Sequence, residues 1–295
     1  MAFNWKTFQT RTLTAIIFAA VMLTGLLWNY WSFLILFSII HFGCWWEYLK
    51  LTEKIYQTKI DNIVKGLFIF SGFVLMIILS LKNTTVTTWV EKEGIVINLK
   101  WVLWLGTVLL LMVFLLQNKI VPLKAKWMCL AGFVYISLSW GLMLNLYERD
   151  ISIYDTKLVI AQGAGIPLMI ILSIWINDTM AYIVGSIIGK TPLSKISPKK
   201  TWEGTIGGII LSVAFVGLLA FYYIGHSWPI TIVIMMLAVI ASIIGTLGDL
   251  LESKLKRMAG VKDSGNIMPG HGGFLDRFDS LLLAVPAVWL FVYFL

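Results

Sequence analysis

The chain is poor in the residues that usually mark a soluble enzyme. Only 13% of its 295 residues are Asp, Glu, Lys or Arg, against about 25% in an ordinary soluble domain. There are three histidines and two cysteines, with no His/Cys spacing of the kind that holds zinc. Cys44 and Cys129 stand in apolar runs and read as small buried hydrophobes. His41 reads as a packed side chain. There is no Walker-type phosphate loop, dinucleotide glycine fingerprint, low-complexity tract or internal repeat. The first apolar run is followed by no small-residue cleavage site and is taken as retained.

What is abundant is apolar sequence, at 59% of the chain. Runs of roughly 20 apolar residues read as membrane-spanning helices. Nine stretches qualify, at about 12–29, 31–49, 61–81, 101–117, 127–146, 164–188, 204–224, 230–248 and 278–295. The expected fold is therefore all-α and polytopic. Residues 1–295 form a single integral membrane domain, with 1–160 a multi-span region and 161–295 the part that carries the chemistry. With the N-terminus in the cytoplasm, eighteen of the 23 Lys and Arg residues fall in inside segments, as the positive-inside rule requires. Tryptophan and tyrosine gather near span ends as interfacial belts. The longer loops, 82–100 and 147–162, fall outside and show little pattern.

Two inside segments break the apolar monotony. The first is WINDTMAYIVGSIIGKTPLSKISPKKTWEGTIGG, 175–208. Asn177 and Asp178 stand within a span, where a carboxylate is costly unless it faces a cavity or a partner. Asp178, Tyr182 and Gly185 share a helix face; Gly185 and Gly189 also suit a close helix contact. Pro198 is expected to break the helix, and Lys199 and Lys200 lie between Ser197 and Thr201 in a turn suited to phosphate. Glu47, near the inner end of the second stretch, reads as an acid that snorkels to the interface.

The second segment is GDLLESKLKRMAGVKDSGNIMPGHGGFLDRFDS, 248–280. If the eighth helix continues inward, Asp249, Glu252, Ser253 and Lys256 form one polar stripe. Gly270, Gly272 and Gly273 permit a close backbone approach to a ligand. Asp276 and Asp279 open the last helix, where they can also cap it. Acids without histidines are hard oxygen ligands suited to Mg²⁺. Arg257, Lys262 and Arg277 supply charges for phosphate oxygens. Acids for a metal and bases for phosphates together equip a site for phosphoryl or nucleotidyl transfer.

At these residues the sequence resembles the phosphatidate cytidylyltransferase (CDP-diacylglycerol synthase) family. Ser253, Lys256-Arg257, Lys262-Asp263, His271-Gly272-Gly273 and Asp276-Arg277-Phe278-Asp279 stand in register with the family signature; Met268 replaces a usual Leu, Ile or Phe. The specific match covers roughly 175–280.

The resemblance implies an enzyme of phospholipid biosynthesis that converts CTP and phosphatidate to CDP-diacylglycerol and pyrophosphate, using Mg²⁺ with K⁺ optionally beside it. It implies Asp249 and Asp276 as metal ligands, with Asp279 and Asp263 as second choices. Lys199, Lys200, Lys256, Arg257, Lys262 and Arg277 are then phosphate-binding residues. Asp249, Asp276, Lys200, Lys262 and Arg277 carry catalysis. Gly270, His271, Gly272 and Gly273 approach the nucleotide; Asn177, Asp178, Ser197, Thr201 and Ser253 complete the substrate site. The expected setting is the cell (inner) membrane, with the site facing the cytoplasm. The partners are CTP, phosphatidate and membrane lipids and not nucleic acid, and a homodimer is left open. A CTP-dependent polyprenol or phytol kinase is the nearest alternative; an ion-coupled transporter using Asp178 and Glu47 is a remoter one.

Overall fold

A computed structural model of the chain describes residues 5–81, 99–117, 121–147, 151–153, 156–158, 163–223, 227–266 and 272–295. It is built from α1 (Trp5–Leu27), α2 (Tyr30–Tyr56), α3 (Asn62–Ser80), α4 (Leu99–Gln117), α5 (Leu123–Gly132), α6 (Ser139–Asn145), α7 (Gly165–Ile188), α8 (Trp202–Tyr223), α9 (Trp228–Met258) and α10 (Leu275–Tyr293). A π-helical turn, Phe133–Leu138, joins α5 to α6, so that 123–145 is one continuous rod. Among the described residues, six rods are long and apolar enough to cross a membrane: α2, α3, the α5–α6 rod, α7, α8 and α9. Each of the nine apolar stretches overlaps a helical rod among the described residues. Large apolar side chains such as Ile210, Leu218 and Met236 face outward, as they do where the surrounding solvent is lipid. Two short strands, Ile151–Ile153 and Thr156–Leu158, pair antiparallel in a loop expected to be patternless.

Helix limits follow local chemistry. Asn29 and Ser32 form a reciprocal capping box at the start of α2, with Asn29 Oδ1 accepting from the Ser32 amide at 2.9 Å. Asp61 caps α3 by accepting from the Ile63 amide. α7 stops at Gly189, nine residues before Pro198, so Pro198 does not end it. The following loop instead folds on itself. The Leu193 amide bonds the Lys200 carbonyl at 2.7 Å, and the Trp202 amide bonds the Thr191 carbonyl at 2.9 Å. Pro198 occupies a turn of that loop, closed by the Lys200 amide on the Ser197 carbonyl. α9 runs 31 residues, roughly 46 Å, well beyond a hydrocarbon core of about 30 Å. The polar stripe lies on its last turns, Asp249 to Lys256.

The core lies where α2, the α5–α6 rod and α10 meet. His41 is fully buried there, with Nε2 3.1 Å from Ser137 Oγ, and Trp45 Nε1 donates to the same hydroxyl at 2.8 Å. Cys44 and Cys129 are buried and free. The C-terminal helices approach closely because their contact faces lack side chains. A Cβ on Gly204 would come within 2.6 Å of the Ala181 carbonyl oxygen, and one on Gly208 within 2.7 Å of that of Asn177, which joins α7 to α8. Gly248 meets the Asp279 carbonyl in the same way, setting α9 against α10. That last contact brings Asp249 beside Asp279.

Candidate active site

A cavity of about 500 Å³ opens between the C-terminal half of α7, the 246–249 stretch of α9 and the start of α10, and is roofed by the 189–201 loop. α7 contributes Asp178, Tyr182 and Gly185, one helix face as the spacing requires, and the adjacent Asn177. The loop contributes Ser197, Lys199, Lys200 and Thr201, while α9 and α10 contribute Asp249, Asp276 and Asp279. Asn177 is buried. Its Nδ2 lies 3.4 Å from Thr246 Oγ1, and its Oδ1 has no partner among the described residues. Thr201 also caps α8, accepting from the Gly204 amide at 3.2 Å.

Lys200 forms an ion pair with Asp249 across this cavity. Behind Asp249, the ligand-type atoms of Asp249, Glu252 and Asp279 all lie within 4.8 Å of one another. Glu252 is fully buried and faces no donor at Oε1 among the described residues. Like charges this close in a poorly hydrated place repel unless a cation sits between them. The three carboxylates therefore fit a hard divalent ion such as Mg²⁺, which takes oxygen ligands and keeps part of its water.

Asp276 lines the cavity but belongs to a different set of contacts. Its Oδ1 is 2.6 Å from Lys256 Nζ, which also stands 2.6 Å from Glu252 Oε2. Its Oδ2 accepts from the Ser264 amide at 2.8 Å, the Gly273 amide at 2.8 Å and the Ser264 hydroxyl at 2.9 Å. Asp279, a second choice by resemblance, thus stands inside the carboxylate trio. Asp276 ties the 260–275 loop to the start of α10.

The remaining expected residues divide. Lys256 is partly buried between Glu252 and Asp276. Ser253 is half-buried on the stripe; Arg257, Lys262 and Asp263 are exposed and outside the cavity lining. Gly272 has φ +82°, a conformation that favours glycine, and Gly273 supplies its amide to Asp276. Gly270, His271 and Met268 lie outside the described residues. Arg277 lines a second cavity, of about 380 Å³, with Thr14, Phe18, Trp175, Asp178 and Thr179. Asp178 borders both cavities.

Glu47 does not snorkel. It is 3% exposed, and its carboxylate accepts from the Phe274 amide at 3.0 Å, the Leu275 amide at 2.8 Å and the Ser264 hydroxyl at 2.7 Å. Helix N-termini attract anions, and here the anion comes from a distant helix. Two further acids take part in the site without being marked as site residues by the sequence. Glu252 was visible only as part of a stripe. Glu203 accepts from the Lys190 and Thr191 amides at 3.2 Å and so fixes the root of the lysine loop; its place thirteen residues downstream gave no local signal.

Comparison with known proteins gives one consistent answer. The profile described as the cytidylyltransferase family matches residues 9–295. A phosphatidate cytidylyltransferase of Staphylococcus haemolyticus is 35% identical over 280 residues, covering 94% of this chain and 96% of the relative. One from Staphylococcus aureus is 34% identical over the same shares of each chain. One from Synechocystis is 46% identical over 131 residues, 44% of each chain.

Proposed function

The chain belongs to the cytidylyltransferase family, and from that premise we propose that it forms CDP-diacylglycerol and pyrophosphate from CTP and phosphatidate. The observation that carries this reading is the pairing of the Lys199-Lys200 loop with a carboxylate trio, two of whose members, Asp249 and Asp279, line the same cavity while Glu252 is buried beside them. The reaction needs both. A phosphate oxygen of the lipid bonds to the α-phosphorus of CTP as the bond to the pyrophosphate oxygen breaks. Negative charge crowds the centre throughout, so positioning and neutralisation supply most of the acceleration.

Asp249, Glu252 and Asp279 would hold Mg²⁺, with Asp276 at the same wall. The ion, when bound, draws charge from the phosphate oxygens. Lys199 and Lys200 pair with phosphate oxygens that the carboxylates repel, and Lys200 exchanges Asp249 for substrate as the site fills. Asn177 offers its amide inside the span, at the depth of a lipid headgroup. Arg277, on the other side of Asp178, faces the second cavity, whose Phe18 and Trp175 walls suit the apolar part of a lipid. The excess of Lys and Arg on the loops that hold both motifs supports a cytoplasmic site in the cell membrane.

The test is an assay of purified protein with CTP, phosphatidate and titrated Mg²⁺. Pyrophosphate and CDP-diacylglycerol are expected. CDP in place of pyrophosphate would make the protein a lipid kinase, and no CTP turnover would remove the enzymatic reading.

A further inference from the structure

We propose that Glu47 is a positioning residue of the site: a carboxylate from α2, outside both polar segments, that seats the start of α10 and so holds Asp276 and Asp279 against Asp249. The proposal rests on the nucleotidyl-transfer reading for its kinetic arm only.

The seat has two parts on one face of α2. Gly43 and Glu47 are four residues apart and so lie one turn above the other. The Phe274 ring packs directly on Gly43, where any Cβ would collide with it. Glu47 Oε1 accepts from the Phe274 amide, and Oε2 from the Leu275 amide and the Ser264 hydroxyl. These are the amides that the first turn of a helix leaves unpaired. The backbone has been shaped around the carboxylate. Gly265 and Gly273 both lie so close to it that a Cβ on either would overlap its oxygens.

Ser264 extends the seat to the cavity. Its hydroxyl is 2.7 Å from Glu47 Oε2 and 2.9 Å from Asp276 Oδ2, so one hydroxyl with a single proton to donate stands between two carboxylates. Asp276 is held in turn by the Ser264 and Gly273 amides. A displacement of Glu47 therefore passes through one hydroxyl to a cavity-lining acid, and through α10 to Asp279 one turn on. Every group facing Glu47 in these contacts is a donor. In either orientation the carboxamide of Gln would place its NH₂ against an amide NH, that of Phe274 or that of Leu275, keeping the size and reversing one contact.

The experiment compares wild type with Glu47→Gln in detergent, by amide hydrogen exchange and by steady-state kinetics. Expected is an increase of about tenfold or more in exchange at Ser264 and Gly273–Leu275, with α3 and α8 unchanged. The kinetic counterpart is a kcat lower by about tenfold or more, a higher Mg²⁺ requirement, and a KM for phosphatidate within about twofold of wild type. Exchange and kcat like wild type would overturn the proposal. If Glu47→Gln loosens the whole chain, Ser264→Ala decides, because it removes only the bridge. It should show the local exchange and Mg²⁺ shifts, and a wild-type response would overturn the proposal. Wild-type protein that makes no CDP-diacylglycerol refutes the functional reading instead, and the exchange arm still judges the seat.

Discussion

Lys200 and Asp249 face each other as an ion pair across the cavity, one on the loop between α7 and α8, the other in the C-terminal half of α9. Their side chains are 33% and 20% exposed, and a pair this open to solvent stabilises a fold little. Its interest is the exchange it permits: a cation can take Asp249 while Lys200 turns to a phosphate.

Lys200→Ala should therefore spare the fold and weaken substrate binding. The apparent KM for CTP or phosphatidate is expected to rise about tenfold or more, the loss of one charge-assisted contact. An unchanged KM for both would reduce Lys200 to a membrane-surface anchor.

Asp249→Asn and Asp279→Asn each leave two acids of the trio. Turnover should fall by about a hundredfold, as when a centre that neutralises transition-state charge is lost, and half-maximal activity should require more Mg²⁺. Chelation of wild-type protein should abolish turnover reversibly. A variant whose Mg²⁺ titration overlays wild type would take that acid out of the metal set.

Asp276→Asn should also lose turnover, but with a second symptom. Its carboxylate accepts from two amides, a hydroxyl and Lys256, and an amide group cannot serve all four. Stability should drop by about 1–3 kcal/mol, seen as a lower Tm in detergent, whereas Asp249→Asn should leave Tm near wild type. Equal Tm values for the two variants would contradict the division of labour between these acids.

Gly248→Ala tests the α9–α10 contact. Its Cβ would lie 2.6 Å from the Asp279 carbonyl oxygen, an atom of the backbone that cannot swing aside. The helices must separate, at about 1–3 kcal/mol, and Asp249 moves off Asp279. Lower Tm and lower turnover should appear together. Gly66→Ala, with nothing within 4 Å, is the control and should lower neither, since Ala suits the interior of α3 better than Gly does.

Much of this was readable from the chain. Apolar length located the rods, because a bilayer imposes that length on every span. The i, i+4, i+7 spacing of Asp178, Tyr182 and Gly185 correctly placed them on one face of α7. The Asp249 stripe required the eighth span to continue as helix beyond residue 248, and α9 does, to Met258. What stayed hidden depends on partners remote in sequence. Glu47 and Leu275 are 228 residues apart, and no local pattern separates an acid at a helix end that snorkels from one that caps another helix. Asp276 and Asp279 carry the same label in a motif. Only the rotation of α10 against α9 sends one to Lys256 and the other to the trio. The π turn at Phe133–Leu138 likewise answers to tertiary neighbours: Phe133 and Ser137 of that turn both meet Trp45.

The seat on α2 bears on how such a protein can be divided. A fragment beginning at Gly163 would carry the lysine loop, the carboxylate trio and the whole second polar segment, yet lack Gly43 and Glu47. The signature is therefore not a transplantable cassette. Its working geometry is lent by a helix laid down long before it in the chain, and the first half of the protein, far from being mere anchorage, is a structural creditor of the second.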